Sequence, residues 1–368
     1  MADREDEADD LAPWRTASLV GHAAGEAALA DSYQDGRVPH AWLFAGPRGI
    51  GKATLAYRFA RYLLSREDAG PSLFAGDLPA GLAVGEEHPA SRLVGNRSHP
   101  GLFVIERTAD QKTGRMRGEI VVQQIRDLNR FFAMTSTAGG WRVAIVDGAD
   151  EMNVNAANAI LKTLEEPPAR SVIILVAHAA GRLLPTIRSR CRVLTLRPLA
   201  ETEVVDVLRR QMPDLDPAAA QALAHLSDGA PGRAVALAGQ GGLDVYRELI
   251  SLTGRLPQVP YDKVHALGDQ LNRRDSDQTY RIWFDLLGLW LSRSIRRAAS
   301  GGEAAEVVPG EWALAERLSG AGNLDRWVDL WENVGRLTAQ ADGLNLERKQ
   351  VVLNAFMALE STAREQFS

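Results

Sequence analysis

Short apolar runs and helix-period stripes alternate along the first half of the chain, and then the strand signal stops. Trp42–Ala45, Leu102–Ile105, Val143–Val146, Val172–Val176 and Val193–Leu196 predict strands. Several are apolar at successive rather than alternate positions, the mark of a parallel sheet covered on both faces. Between them, Lys52–Ser65 carries Leu55, Phe59 and Leu63 at i, i+4 and i+8 and predicts a helix. Helices also fit Val121–Met134 and Val154–Glu166, the second stopped by Pro167-Pro168. This alternation predicts a three-layer α/β domain ending near Leu196. Beyond Arg197-Pro198, the segments Glu201–Gln211, Pro217–Leu226 and Gly232–Ala238 predict three short helices, and Gly239–Gly242 a linker. From Leu243 onward the pattern is helical, including Thr279–Ala298, Leu324–Ala341 and Leu346–Phe367, with a loop at Ser300-Gly301-Gly302. Trp283, Leu286, Leu287, Trp290 and Leu291 form a broad apolar stripe that predicts the core of a helix bundle, with packing of part of it on partner subunits left open. No internal repeat is apparent.

Composition narrows this picture without changing it. At 368 residues the chain holds two or three domains. Its 45% hydrophobic and 24% charged content is ordinary for a globular protein. A formal net charge of −5 makes no global demand for nucleic acid or an anionic membrane, so any such contact must come from local patches. The start, Met1-Ala2-Asp3-Arg4-Glu5-Asp6-Glu7-Ala8-Asp9-Asp10, is acidic and lacks the regions of a signal peptide, and residues 1–17 are expected to form a disordered tail. The longest apolar stretches fall far below the ~20 residues that span a bilayer, so the expectation is a cytoplasmic protein with no membrane partner. The single Cys191 excludes an intrachain disulfide and a multi-thiolate zinc site, and is expected to be a small buried hydrophobe.

Candidate chemistry starts at Gly46-Pro47-Arg48-Gly49-Ile50-Gly51-Lys52-Ala53, which follows a predicted strand and opens a predicted helix. It matches the phosphate-loop pattern G-x-x-x-x-G-K-[S/T] until its last position. Gly46, Gly49 and Gly51 let backbone N–H groups close around phosphates, and Lys52 reaches the β/γ oxygens. The final hydroxyl, which holds Mg²⁺, is replaced by Ala53; Thr54 follows but points roughly 100° away on a helix. A second acidic site is altered too. Arg142–Val146 ends in Asp147, where a metal-positioning aspartate belongs, but the glutamate that polarises attacking water in such ATPases is replaced by Gly148. Asp150 and Glu151 lie beyond the strand end and could substitute only with an altered backbone.

Asn158-Ala159-Ile160-Leu161-Lys162-Thr163-Leu164-Glu165-Glu166-Pro167-Pro168 resembles the signature helix of AAA+ clamp-loader subunits. Pro185-Thr186-Ile187-Arg188-Ser189-Arg190-Cys191 matches their Ser-Arg-Cys motif, and His99-Pro100-Gly101 and Gly229-Ala230-Pro231-Gly232-Arg233-Ala234 also fit. The resemblance covers roughly residues 18–239 and is closest to the delta-prime family of the bacterial DNA polymerase III clamp loader. It implies a RecA-like AAA+ P-loop domain over 18–197, a three-helix lid over 198–242, and an all-α collar over 243–368 that holds a ring-like oligomer together. It also implies a stationary subunit that helps place the sliding clamp on primed DNA. Partners would be the motor and wrench subunits, met through the collar and the Arg190 edge, with the clamp and primer–template DNA reached through the complex.

Within that resemblance, Arg190 is expected to act in trans as an arginine finger on a neighbour's ATP, a role suited to an always-charged, forked guanidinium. The loop residues Gly46, Gly49, Gly51, Lys52, Ala53 and Thr54, with Asp147, are the expected ATP or ADP site. Arg233 matches a lid position that contacts nucleotide in active relatives, but capping or packing stays open for it. His178 stands where those relatives carry a polar sensor, with a structural role open. Arg188 and Arg192 are expected to be solvated or to face DNA. Many relatives carry a four-cysteine zinc module before the His-Pro segment; Ser65–Ser98 has no cysteine, so no zinc and a Gly/Pro-rich loop are expected. Lys112–Arg117 is expected to be a solvated basic hairpin tip, with contact to nucleic-acid phosphate left open. The chain's own ATPase is expected to be weak or absent. The rival readings are an ATP-hydrolysing motor subunit of the same loader, a stand-alone P-loop NTPase or kinase, and a scaffold whose loop binds nothing.

Overall fold

A computed structural model describes residues 12–16, 18–66, 81–109, 117–134, 140–273, 276–301, 306–318, 324–344 and 347–367. The chain divides into two compact units, one running to Pro213 with Asp228–Arg233 added, the other made of Asp214–Ser227 and the chain from Ala234. The segment 198–242, expected to form a lid of its own, is thus shared between them.

The first unit is built on five strands: β1 (Ala41–Ala45), β2 (Leu102–Ile105), β3 (Arg142–Asp147), β4 (Ser171–Ala177) and β5 (Arg192–Thr195). They lie in the order β2-β3-β4-β1-β5, and every pairing is parallel. This is the all-parallel sheet of a three-layer α/β domain that the pattern of apolar runs predicts. All residues of β1 and β4 are buried, so their uninterrupted apolar runs have a direct cause. On one face Trp42 packs edge-on against Phe59 of helix α2 (Lys52–Ser65). On the other, Leu43, Val146, Ile173 and Leu175 meet Ile125 and Leu128 of α4 (Val122–Ala133) and Ile160 and Leu164 of α5 (Val154–Glu165). Strand β5 is an edge, and its Val193 is largely exposed despite its apolar side chain.

Three elements depart from the sequence reading. Residues 12–16, expected in a disordered tail, form a turn with Ala12 buried, tied down by the Arg61 guanidinium, which donates to the carbonyls of Thr16 (2.8 Å) and Trp14. Helix α1 (Ala23–Gln34) was not foreseen; its weakly amphipathic, alanine-rich sequence gives little helical periodicity to read. The stretch expected to be a loop up to Ser98 contains α3 (Pro89–Gly95), started by a proline and capped by His88, whose Nδ1 accepts from Ala90 N–H at 3.2 Å. Residues 112–116 of the basic segment lie outside the described residues.

The chain continues with α6 (Pro185–Arg188), α7 (Glu201–Gln211), α8 (Pro217–Leu226) and α9 (Pro231–Gly239). Then follow α10 (Gly242–Thr253), which absorbs the end of the expected linker, α11 (Tyr261–Leu271), α12 (Asp277–Ser300), α13 (Ala313–Leu318), α14 (Asp325–Leu344) and α15 (Arg348–Phe367). The stripe of α12 is buried as expected, with Trp283, Leu286, Leu287, Trp290 and Leu291 nearly inaccessible.

Inside this second unit sits an ion pair. Glu311 is 0% and Arg293 8% exposed, and they meet at 3.0 Å. The same carboxylate accepts from Tyr246 Oη (2.8 Å) and Val307 N–H (2.7 Å), while Arg293 also donates to His225 O (3.0 Å). A carboxylate so placed has its lone pairs answered, which offsets the cost of taking it out of water. Glu311→Ala is expected to destabilise the chain by about 3–5 kcal/mol by leaving the guanidinium buried and unpaired. Urea unfolding monitored by tryptophan fluorescence reads this, and a loss below about 1 kcal/mol contradicts it.

Candidate functional site

Parallel pairing puts the carboxyl ends of β1, β3 and β4 at one level: Ala45 is in register with Ala177, and Asp147 with Val176. Such an edge, beside the point where strand order reverses, is where open α/β sheets gather ligands. The loop Gly46–Gly51 leaves β1 there and runs into α2, with positive φ at Gly46, Gly49 and Gly51. Lys52, first residue of α2, is 3% exposed, and its ammonium donates to the carbonyls of Gly46 (2.7 Å) and Pro47. Burial pulls the Lys52 pKa down to about 8, although the charges of Asp147 and Asp150 work in the opposite direction. On the amino-terminal side, His22 Nε2 donates to Ile50 O at 2.7 Å and braces the loop.

The motif Gly229–Ala234 lands on the tip of this loop. Gly232 N–H donates to Gly49 O at 2.8 Å. A Cβ on Gly232 would sit 3.1 Å from that oxygen and 3.3 Å from Gly49 Cα, so glycine is what permits the approach. Arg233 follows directly and is thereby held beside the loop by its backbone.

At the end of β3, burial and the neighbouring Glu106 charge raise the Asp147 pKa above the usual carboxylate range. Gly148 has φ +83°, and the chain turns through a short 3₁₀ segment, Ala149–Glu151. Asp150 accepts from the backbone N–H groups of His178 and Ala179, both at 2.9 Å. Burial alone would raise its pKa, but these bonds outweigh it and hold the carboxyl low. Glu151 folds back over Gly148: a Cβ at residue 148 would lie 2.7 Å from Glu151 Oε2. The same carboxylate pairs with Arg107 Nε (2.8 Å) and lies 3.8 Å from Arg48 of the loop. His178, at the end of β4, has its pKa pushed down to about 4 by burial, with Lys52 adding to the effect, so it is neutral at pH 7. Its Nδ1 is buried without a hydrogen-bond partner among the described residues.

The fold therefore gathers Gly46, Gly49, Gly51, Lys52, Asp147, His178 and the backbone of Arg233 at one place, with Ala53 and Thr54 in the first turn of α2. A cation at Lys52, backbone amides of the loop and the N-terminus of α2 suit an anionic phosphate group. The donor set for Mg²⁺ does not fit: Ala53 offers no oxygen, and Asp147 is a carboxylate whose burial disfavours its charge.

Arg190 makes its contacts elsewhere. It lies between α6 and β5, donates to Thr186 O at 2.9 Å, and pairs with Glu165 at the end of α5 at 2.7 Å, with its side chain 36% exposed. Arg192, expected to be solvated or DNA-facing, has its guanidinium over the Trp42 ring at 5.2 Å. Cys191 is half-buried, packs beside the α4/α5 core, and burial raises its thiol to about 12, in line with an inert hydrophobe. Sequence reading missed His22 and Arg107, and missed the contact of Glu165 with Arg190, since each acts through a position distant along the chain. Restoring the expected carboxylate should therefore be harmful. Gly148→Glu is expected to destabilise the first unit by about 1–3 kcal/mol, from positive φ and the clash with Glu151. Glu151→Ala in the same chain should recover part of that loss in urea unfolding; an unchanged midpoint for Gly148→Glu contradicts the reading.

A family model described as DNA polymerase III, delta subunit, matches residues 21–200. The chain is 38% identical over 233 residues to the DNA polymerase III subunit delta' of Pseudomonas aeruginosa, covering 63% of this chain and 62% of that protein. It is 35% identical over 209 residues to the subunit delta' of Escherichia coli, covering 57% of each. The match thus spans about six tenths of the length of these curated relatives. Among solved structures, a DNA polymerase III gamma subunit-related protein of Thermotoga maritima aligns with 91% of this chain and 99% of its own, at 16% identity and a TM-score of 0.41. Residues 21–200 are thus similar to the DNA polymerase III delta subunit family model, and this chain is similar to delta' subunits over about six tenths of their length.

Proposed function

We propose that this chain is the stationary, delta-prime-type subunit of a clamp loader, which helps place a sliding clamp on primed DNA and supplies Arg190 to the ATP site of a neighbouring subunit. The observation that carries the reading is an asymmetry between two sites on one unit. At the phosphate loop, the metal-binding hydroxyl is Ala53 and the position of the water-polarising carboxylate is Gly148, over which Glu151 is folded and paired with Arg107. At the other site Arg190 keeps a guanidinium with more than a third of its side chain open to solvent. Glu165 and Thr186 O orient that guanidinium without burying it. A phosphate brought by a neighbour would take over from Glu165, and the forked donors suit charge spread over a transferring phosphoryl group.

In this reading the loop is a weak nucleotide site for ATP or ADP, its anion held by Lys52 and backbone amides, and no zinc is needed. Residues 198–242 act as a lid and 243–368 as the collar through which motor and wrench subunits are met; the clamp and primer–template DNA are engaged by the complex, in the cytoplasm. An ATP-hydrolysing motor subunit would instead require turnover by the isolated chain that Lys52→Ala abolishes.

In a reconstituted loader, Arg190→Ala is expected to lower clamp- and DNA-stimulated hydrolysis at the neighbouring site by ~10³ or more, the scale of a trans-acting finger. An unchanged rate removes that role. Nucleotide binding to the isolated chain should also depend on pH. The Lys52 ammonium is present below its pKa of about 8 and lost above it, so affinity for ADP should fall as pH rises through that value, approaching about tenfold per unit. Equilibrium dialysis between pH 7 and 9 measures this; an affinity that is flat with pH, or a slope that survives in Lys52→Ala, contradicts it.

A further inference from the structure

The first unit has a second basic concavity, which shares no lining residue with the phosphate loop. It has a volume of about 500 Å³ and is lined by Arg15, Arg58, Arg61 and Arg92, with Glu86 as its carboxylate and Ser91 among its polar groups. A space of that size falls in the range of small-ligand sites and exceeds what one phosphate group fills.

Charge in this lining is unevenly answered. Arg58 pairs with Glu26 at 2.6 Å, and Arg92 pairs with Glu87. Arg61 differs. It is 6% exposed, and its hydrogen bonds run to the carbonyl oxygens of Thr16 and Trp14. Carbonyls satisfy N–H groups but leave the positive charge in place, in a setting where water is scarce. Burial, and then the like charge of Arg58, lower the Arg61 pKa, which marks a position whose field favours an arriving anion. Ser91 Oγ adds a second independent sign: it is buried and has no hydrogen-bond partner among the described residues. A buried hydroxyl left unpaired is costly, and a ligand oxygen at the cavity wall would answer it. Guanidinium groups recognise phosphate oxygens by paired, forked hydrogen bonds, so several arginines around one space select phosphate over a halide or a single carboxylate.

We propose that this cavity binds a multiply charged phosphate ester of nucleotide size or smaller, held by Arg61, Arg15 and Arg92 with Ser91 as an additional hydrogen-bonding group. Two sources carry that chemistry: a free nucleotide, or the phosphorylated end of a nucleic-acid strand.

The test uses the full chain carrying Lys52→Ala, which removes the lysine of the phosphate loop, titrated calorimetrically with inorganic pyrophosphate. Saturable binding near one per chain is expected. Arg61→Met should weaken it at least about tenfold, the scale of one lost charge-assisted contact. Because Arg61 also ties down the turn at Trp14, an Arg15→Ala/Arg92→Ala chain, altered at exposed positions, is measured beside it and should weaken binding similarly with its thermal unfolding unchanged. Displacement of pyrophosphate by ADP identifies a free nucleotide. Displacement by a 5′-phosphorylated but not a 5′-hydroxyl oligonucleotide identifies a strand end. Absence of saturable binding in the Lys52→Ala chain overturns the proposal, as does equal affinity in the Arg15→Ala/Arg92→Ala chain. Displacement by neither competitor overturns the phosphate-ester class.

Discussion

Parallel hydrogen bonding between β1 and β4 is the constraint from which the site follows. Once Ala45 is paired with Ala177 and Asp147 with Val176, the loop, the acidic turn and His178 must emerge together on one edge of the sheet. The helices that cover both faces make this pairing possible, because fully buried strands need apolar cover above and below. Lys52, Asp147, Asp150 and His178 are then close enough to shift one another's proton affinity. Chemistry at this edge is inherited from topology, and individual side chains only adjust it.

Those adjustments run in a consistent direction. Positive charge is retained at Lys52, but its ammonium bonds to the carbonyls of its own loop. Negative charge is retained at Glu151, but it is turned toward Arg107 and Arg48. Gly232 reaches the loop tip from the far side of the sequence and adds a backbone bond to Gly49. Each contact gives a group at this edge of the sheet a partner within the protein. Arg190 is the contrast, oriented by Glu165 and Thr186 O yet open to solvent.

Much of this architecture was legible in the sequence for identifiable reasons. Continuous apolar runs gave all five strands to within a residue or two, and the helices after β1 and before β4 follow from regular spacing and the Pro167-Pro168 stop. Helix α1 was invisible because alanine-rich segments carry little amphipathic signal, and α3 because Gly and Pro around it read as loop. The site was legible where a local motif defines it, as at Gly46–Lys52 and Asp147. Its closing contacts were not. His22 with Ile50, Gly232 with Gly49, and Glu165 with Arg190 join positions that only the folded backbone brings together. Gly148 shows the same limit: as a letter it is a missing glutamate, whereas in the fold it is the space that the Glu151 carboxylate occupies.

The ion pair of Arg293 and Glu311 has a consequence for how this chain can drift in sequence. Losing either partner strands a charge in the interior, whereas an apolar pair of similar volume would serve the bundle equally well or better. The two endpoints are both habitable, but each single step between them crosses an unstable intermediate. Tyr246 and the Val307 amide deepen that valley, since both would also lose their acceptor. Among homologues, Tyr246, Arg293 and Glu311 should therefore change as a set or stay as they are.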